Sequence, residues 1–318
     1  MAWGRPSDAC ATDVLRRCAD GEISPAVALL RLLIAYADIG GLRSDLSALV
    51  QPDREPGVRE AAERVQELLT ANLKGSATVL RMLQQERAAA EAGEADEVER
   101  CRRLFDRLVG ENAATSVALY SLGDPALLDA ATREVVELLD RLGVLGPERK
   151  TLEIGCGIGR FVQALAGRVA AITGIDIAAG MIEVAKRRCA GLPNVTLLVT
   201  SGRGLEPFPA ASFDVVLAVD AMPYICRAGA ALVETHFVEA ARVLRPGGDL
   251  VLLNFSYRGD LEADRHDVSR LCDAVDLRVL RNGTADLQLW DGATFHLRKP
   301  QIVRGMNCDQ STRSSIRP

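Results

Sequence analysis

The chain has 318 residues, 48% of them hydrophobic and 25% charged, with a formal net charge of −5. These values describe a folded globular chain, long enough for two domains, and exclude wholesale disorder. The acidic balance argues against nucleic acid or an anionic membrane as the main partner. The eight cysteines include no C-x-x-C pair, so neither a zinc site nor a disulfide framework is indicated. The first twenty residues intersperse Arg and Asp too closely for a signal peptide. The richest apolar stretch, 26–37, is interrupted by Arg31 and too short to span a bilayer. A cytoplasmic setting with reduced thiols is expected.

Residues 1–110 carry helical patterns and no convincing strand. Ser24-Pro25 offers a hydroxyl N-cap followed by proline at the first helical position. Ala26, Leu29, Leu30, Leu33, Ile34 and Ala37 then recur at helical spacing. After a Pro- and Gly-containing break at 51–57, Val58, Ala61, Ala62, Val65, Leu68, Leu69 and Leu73 mark a second amphipathic helix. One or two more follow through Arg103, for a unit of four to five helices. Three roles stay open for it: a cap that selects substrate, an assembly element that forms a homodimer, or a protein-binding module. Residues 111–150 read as a helical lead-in, with a loop at 118–124 containing Tyr120 and a helix from Pro125 to about Leu142.

From Thr151 onward strands and helices alternate, with strands at 151–155, 170–175, 194–199, 213–219 and 249–255 and helices at 159–167, 179–190 and 231–244. Such alternation predicts an α/β fold with a mostly parallel sheet covered on both faces. A helix at 262–274 precedes a strand at 277–283, and 287–292 and 294–298 alternate like exposed-edge strands. The tail 299–318 is polar and reads as disordered.

The densest signal is Glu153-Ile154-Gly155-Cys156-Gly157-Ile158-Gly159-Arg160. Glycine at every second position lets the backbone turn tightly and approach a ligand. The spacing is G-x-G-x-G; the third position of the nicotinamide fingerprint G-x-G-x-x-G falls on Arg160, which makes an oxidoreductase the poorer reading. Glu153, two places before the first glycine, ends a run expected to be buried, where a carboxylate needs a compensating partner. Asp176 closes the next strand 21 residues after Gly155, a spacing at which an acid takes ribose hydroxyls in doubly wound folds.

The E-x-G-x-G-x-G pattern resembles motif I of the class I S-adenosylmethionine-dependent methyltransferases. The stretch Pro207-Phe208 through Ser212-Phe213-Asp214-Val215-Val216 and the turn Leu244-Arg245-Pro246-Gly247-Gly248-Asp249-Leu250 are similar to that family's later motifs. The resemblance covers about 150–298. It implies a Rossmann-like sheet ending in an antiparallel hairpin, S-adenosyl-L-methionine as methyl donor, S-adenosyl-L-homocysteine as product, and a small-molecule acceptor. It places Glu153, Gly155, Cys156, Gly157, Gly159, Asp176, Ile177, Met181, Gly202, Arg203 and Asp220 at the cofactor, with 111–298 as the methyltransferase domain. One departure stands out: the family often carries an acid after the third strand to meet the adenine amino group, and 199–205 has none. Backbone groups of Gly202 and Arg203 are the expected substitutes.

Because the donor's methyl group is already electrophilic, the motifs bind cofactor and leave the acceptor unspecified. Acceptor contacts are expected from the ends of the fourth and fifth strands, at Asp220, Met222, Tyr224, Asn254 and Tyr257, with Asp220, Tyr224 and Tyr257 as catalytic candidates. Asp220-Ala221-Met222-Pro223-Tyr224 resembles only loosely the N-P-P-Y box of amino-group methyltransferases. His236, His266 and His296 read as structural or solvated. The competing function is a non-catalytic cofactor-binding scaffold whose helical half binds a protein partner.

Overall fold

The computed structural model describes residues 8–91 and 96–301. Six helices occupy the first third: α1 (Asp8–Ala19), α2 (Pro25–Ala35), α3 (Ile39–Leu49), α4 (Pro56–Ala71), α5 (Leu73–Glu91) and α6 (Glu97–Glu111). That exceeds the four to five expected. The Ser24 cap is realised: its hydroxyl accepts from the Val27 amide at 3.2 Å and donates to the Leu289 carbonyl at 3.1 Å. The cap therefore also joins α2 to a distant loop.

A short helix α7 (Ala113–Val117) and a 3-10 turn at Leu119–Ser121 lead to α8 (Pro125–Arg141), which Asp124 caps through the Ala126 amide. The sheet follows: β1 (Gly146–Ile154), β2 (Val169–Asp176), β3 (Val195–Val199), β4 (Phe213–Val219), β5 (Leu244–Leu253), β6 (Arg278–Thr284) and β7 (Thr294–Arg298), in spatial order β3-β2-β1-β4-β5-β7-β6. β1 to β5 pair in parallel, and β7 runs antiparallel to both β5 and β6. Connecting helices are α9 (Arg160–Ala166), α10 (Ala179–Arg188), α11 (Met222–Arg227), α12 (Ala230–Val243) and α13 (Leu261–Ala274). The strand order reverses between β1 and β4, and their carboxyl ends open the crevice where ligands sit in such sheets.

Two sequence expectations are corrected here. Residues 287–292 form no strand; their apolar side chains Leu287, Leu289 and Trp290 pack into the core while the backbone runs as a loop between β6 and β7. β7 is interior rather than an edge, and its His296 is buried, hydrogen-bonded at 2.8 Å to the buried Asp249 carboxylate on β5. The disordered-tail expectation falls mostly outside the described residues; of the tail, Lys299 is anchored, donating from Nζ to the carbonyls of Ala241 and Leu244.

One continuous core joins Leu29, Leu33 and Val65 to Val135 on α8, Phe161 on α9 and Val251 on β5. Fully burying each such side chain contributes roughly 1.5–3 kcal/mol. Gly75 on α5 lies so close to the 118–124 segment that an added Cβ would meet the Leu122 carbonyl oxygen at 1.7 Å. Among the described residues, no helix is long and apolar enough to cross a membrane.

Candidate active site

A cavity of about 880 Å³ opens over the carboxyl ends of β1, β2, β4 and β5, within the ~300–1,000 Å³ range of small-ligand sites. Its floor is the glycine turn. Gly155, Gly157 and Gly159 all adopt left-handed backbone, with φ of 69°, 52° and 74°. A Cβ at Gly155 would lie 2.6 Å from the Ala221 Cβ, and one at Gly157 would lie 2.8 Å from Val117 Cγ1. Both the conformation and the space therefore exclude side chains. Gly159 faces away, toward Ala185 on α10.

Asp176 ends β2 beside this turn. One carboxylate oxygen accepts from the Gly157 amide and the other from the Ala178 amide, each at 2.9 Å. Burial pushes its carboxyl up to about 6, opposed by these amide donors. Glu153, 1% exposed at the end of β1, is pushed by burial to about 8, with the Arg160 guanidinium pulling the other way. Its Oε2 has no hydrogen-bond partner. Arg160 is itself buried, stacking 4.1 Å over the Phe161 ring and donating to Thr132 Oγ1 at 3.2 Å.

The opposite wall grows from β4 and β5. Asp220 accepts from Asn254 Nδ2 at 2.8 Å and from the Tyr257 hydroxyl, and burial raises its carboxyl to about 6. The Tyr257 ring meets Tyr224 edge-on, centroids 5.7 Å apart, and Tyr224 meets Phe105 of α6 at 5.0 Å. Burial raises the Tyr224 hydroxyl above its ordinary value, while Tyr257 is 52% exposed.

The roof comes from segments where sequence reasoning named no site residue. α2 contributes Leu30, Arg31 and Ile34, α5 contributes Leu83, and α6 contributes Val98, Cys101 and Phe105. Trp290, in the β6–β7 loop, stacks on Tyr120 with centroids 6.2 Å apart and planes 17° from parallel. That loop is clamped to α2 by the Arg31–Asp291 ion pair at 2.5 Å and to α8 by Glu134, which accepts from the Gln288 and Leu289 amides. Arg227 of α11 pairs with Glu86 of α5 and with Glu97 of α6, the latter at 3.2 Å. The one signal within the sequence was Trp290, a large aromatic followed directly by aspartate and glycine.

The cavity brings together Glu153, Gly155, Cys156, Gly157, Asp176, Ile177, Met181, Gly202, Asp220, Tyr224, Asn254 and Tyr257. It does not gather Arg203, whose side chain turns outward to pair with Asp96, nor His266 or His296. Met222 is buried in the core beneath the site. His236, read from sequence as structural or solvated, is buried, with Nδ1 2.8 Å from the Leu232 carbonyl oxygen, and also lines the cavity. The residues fit an adenosyl sulfonium cofactor: a buried carboxylate oxygen without a partner suits a cationic ligand, and the glycine cradle leaves the space that any Cβ would fill.

Residues 152–252 match a family model described as a methyltransferase domain. The chain is 35% identical over 156 residues to the demethylmenaquinone methyltransferase of Tropheryma whipplei (strain Twist), covering 49% of this chain and 59% of that protein. The chain thus spans less than two thirds of that relative. It is 30% identical over 203 residues to the 27-O-demethylrifamycin SV methyltransferase of Amycolatopsis mediterranei (strain S699), covering 62% of this chain and 68% of that protein. Among solved structures it is similar to the magnesium protoporphyrin IX methyltransferase of Synechocystis PCC 6803 with bound SAM, at 15% identity and a TM-score of 0.48, covering 65% of this chain and 99% of that one.

Proposed function

The chain belongs to the class I S-adenosylmethionine-dependent methyltransferases, and from that premise we propose an enzyme that methylates a small, largely apolar molecule held beneath its N-terminal helices. The observation that carries this reading is one cavity lined both by the glycine turn and Asp176 and by Leu30, Ile34, Leu83, Tyr120 and Trp290. An apolar wall of this kind suits a hydrophobic acceptor and keeps water from the reacting atoms.

When bound, the cofactor supplies a methyl group already activated on a sulfonium. Asp176 would hold the ribose, its oxygens pre-oriented by the Gly157 and Ala178 amides. Glu153 would face the cationic methionine end, and Ile177, Met181 and Gly202 would flank the adenine. The rest of the work is alignment and proton removal. With a carboxyl near 6, Asp220 is ionised at neutral pH and can take the proton that a hydroxyl or amine acceptor must lose, directly or through Tyr257. Asn254 fixes the carboxylate from the far side. Phe105, Val98 and Cys101 give the helical segment a share in the cofactor wall, so its role as a cap extends beyond acceptor choice.

The test is incubation of the enzyme with cell extract and isotopically labelled S-adenosylmethionine, followed by mass spectrometry. A labelled apolar product that requires Asp220 supports the reading. Label found only in polar metabolites or protein would overturn the acceptor class.

A further inference from the structure

Resting on the cofactor reading above, we propose that His236 recognises the adenine amino group and so separates adenosyl from inosyl ligands. His236 sits on α12 with its ring 4% exposed, in the cavity wall with Gly202, Gly204, Ile225 and Leu232. Its Nδ1 lies 2.8 Å from the carbonyl oxygen of Leu232, one helical turn back. A carbonyl oxygen only accepts, so Nδ1 carries the ring proton and Nε2 presents a lone pair. Among the described residues that nitrogen has no hydrogen-bond partner. Burial lowers the pKa of the ring, opposed by the hydrogen bond to the Leu232 carbonyl and by the Glu206 and Glu239 carboxylates.

A fixed acceptor on the wall calls for a donor on the ligand. The adenine edge supplies one in its exocyclic amino group, whereas a hypoxanthine edge turns a carbonyl oxygen toward the same place, lone pair against lone pair. The surrounding lining offers little competition. Gly202 and Gly204 have no side chains, Ile177 and Ile225 are apolar, and the Asp176 carboxylate is assigned to the ribose. Thr200, beyond the end of β3, is a further side-chain acceptor lining the cavity.

The experiment is calorimetric titration of S-adenosyl-L-homocysteine and S-inosyl-L-homocysteine into the full-length protein and its His236→Leu, His236→Gln and Thr200→Val variants. The wild type should favour the adenosyl ligand at least tenfold. His236→Leu should weaken adenosyl binding about tenfold and bring the two ligands close to equal affinity, as for one lost hydrogen bond. His236→Gln, which retains an acceptor at similar reach, should recover part of the preference, and it carries the test if the leucine variant fails to fold. Thr200→Val should keep the preference. Undiminished discrimination in the variant lacking the imidazole, or its loss in Thr200→Val, overturns the assignment. A wild type that binds neither ligand overturns the cofactor reading together with it, and binding of both ligands equally overturns this proposal alone.

Discussion

Asp220 and Asn254 end adjacent parallel strands in the same unusual conformation, with φ of 57° and 68°, and are joined side chain to side chain at 2.8 Å. Left-handed backbone disfavours residues with a Cβ, and Asp and Asn tolerate it best. The Asp220 amide donates to the Leu253 carbonyl and the Asn254 amide to the Ala293 carbonyl, so both turns are held by neighbouring backbone. Strain maintained at two strand ends of one crevice aims both side chains into the cavity.

Turnover should accordingly depend on Asp220. At saturating cofactor and acceptor, kcat should rise with pH through about 6 as its carboxylate ionises. Asp220→Asn should lower kcat by roughly a hundredfold or more, in line with loss of a general base, and remove that acid limb. A variant with unchanged kcat and the same pH profile would assign proton removal elsewhere.

Glu153 should make the stability of the ligand-free protein depend on pH. Burial raises its carboxyl from 4.5 to about 8, so the folded state keeps a proton that the unfolded chain has released. The stabilisation from that proton is complete below 4.5 and is lost as pH climbs to about 8. Asp176 and Asp220 act in the same direction but finish near 6, which leaves 6–8 as the window for Glu153. In that window the Tm of Glu153→Gln should fall less steeply than the wild type's. Its affinity for S-adenosylmethionine should drop because the compensating carboxylate is gone. Parallel Tm curves together with equal affinity would make Glu153 a packing residue.

For Asp176→Ala, the expected loss of cofactor binding is about 1.5–3 kcal/mol, the scale of a charge-assisted hydrogen bond. Part of that loss will come from the Gly157 and Ala178 amides, which the carboxylate now holds. Asp176→Asn, which preserves one acceptor, should lose less. Titration calorimetry on both variants checks the order, and equal losses would show that charge rather than loop geometry governs the contact.

How much of this was legible in the sequence follows from how local each constraint is. The glycine turn and Asp176 are readable because tight backbone and a strand-end carboxylate announce themselves within a few residues. The alternation of strands and helices fixed the parallel sheet for the same reason. The roof was not readable: Leu30 and Ile34 look like any helix stripe until the fold sets them over β1 and β4. Residues 287–292 misled because Leu287 and Leu289 alternate like a strand while burying against α-helices instead of pairing. His236 gave no pattern, since its meaning depends on a carbonyl four residues back and a cavity built by other segments.

The helical roof should govern the acceptor. Removing residues 1–110 would expose the core that Leu29, Leu33 and Val65 share with the sheet side, so truncation is a poor probe. Single changes serve better. Trp290→Ala and Ile34→Asp should raise the acceptor KM severalfold while cofactor affinity stays within about twofold, because both residues line the cavity yet neither belongs to the glycine turn or to the Asp176 segment. An effect confined to cofactor binding would place the acceptor elsewhere.

The central claim, that this crevice binds S-adenosylmethionine on the glycine turn, is tested most directly by titration calorimetry of S-adenosylmethionine, S-adenosylhomocysteine and NAD into the wild type and Gly157→Val. Added bulk at Gly157 collides with Val117 and forces a β-branched residue into φ of 52°. The account predicts saturable binding of both adenosyl ligands to the wild type, none of NAD, and no binding to a folded Gly157→Val. Wild-type affinity in that variant, or preference for NAD, would contradict it.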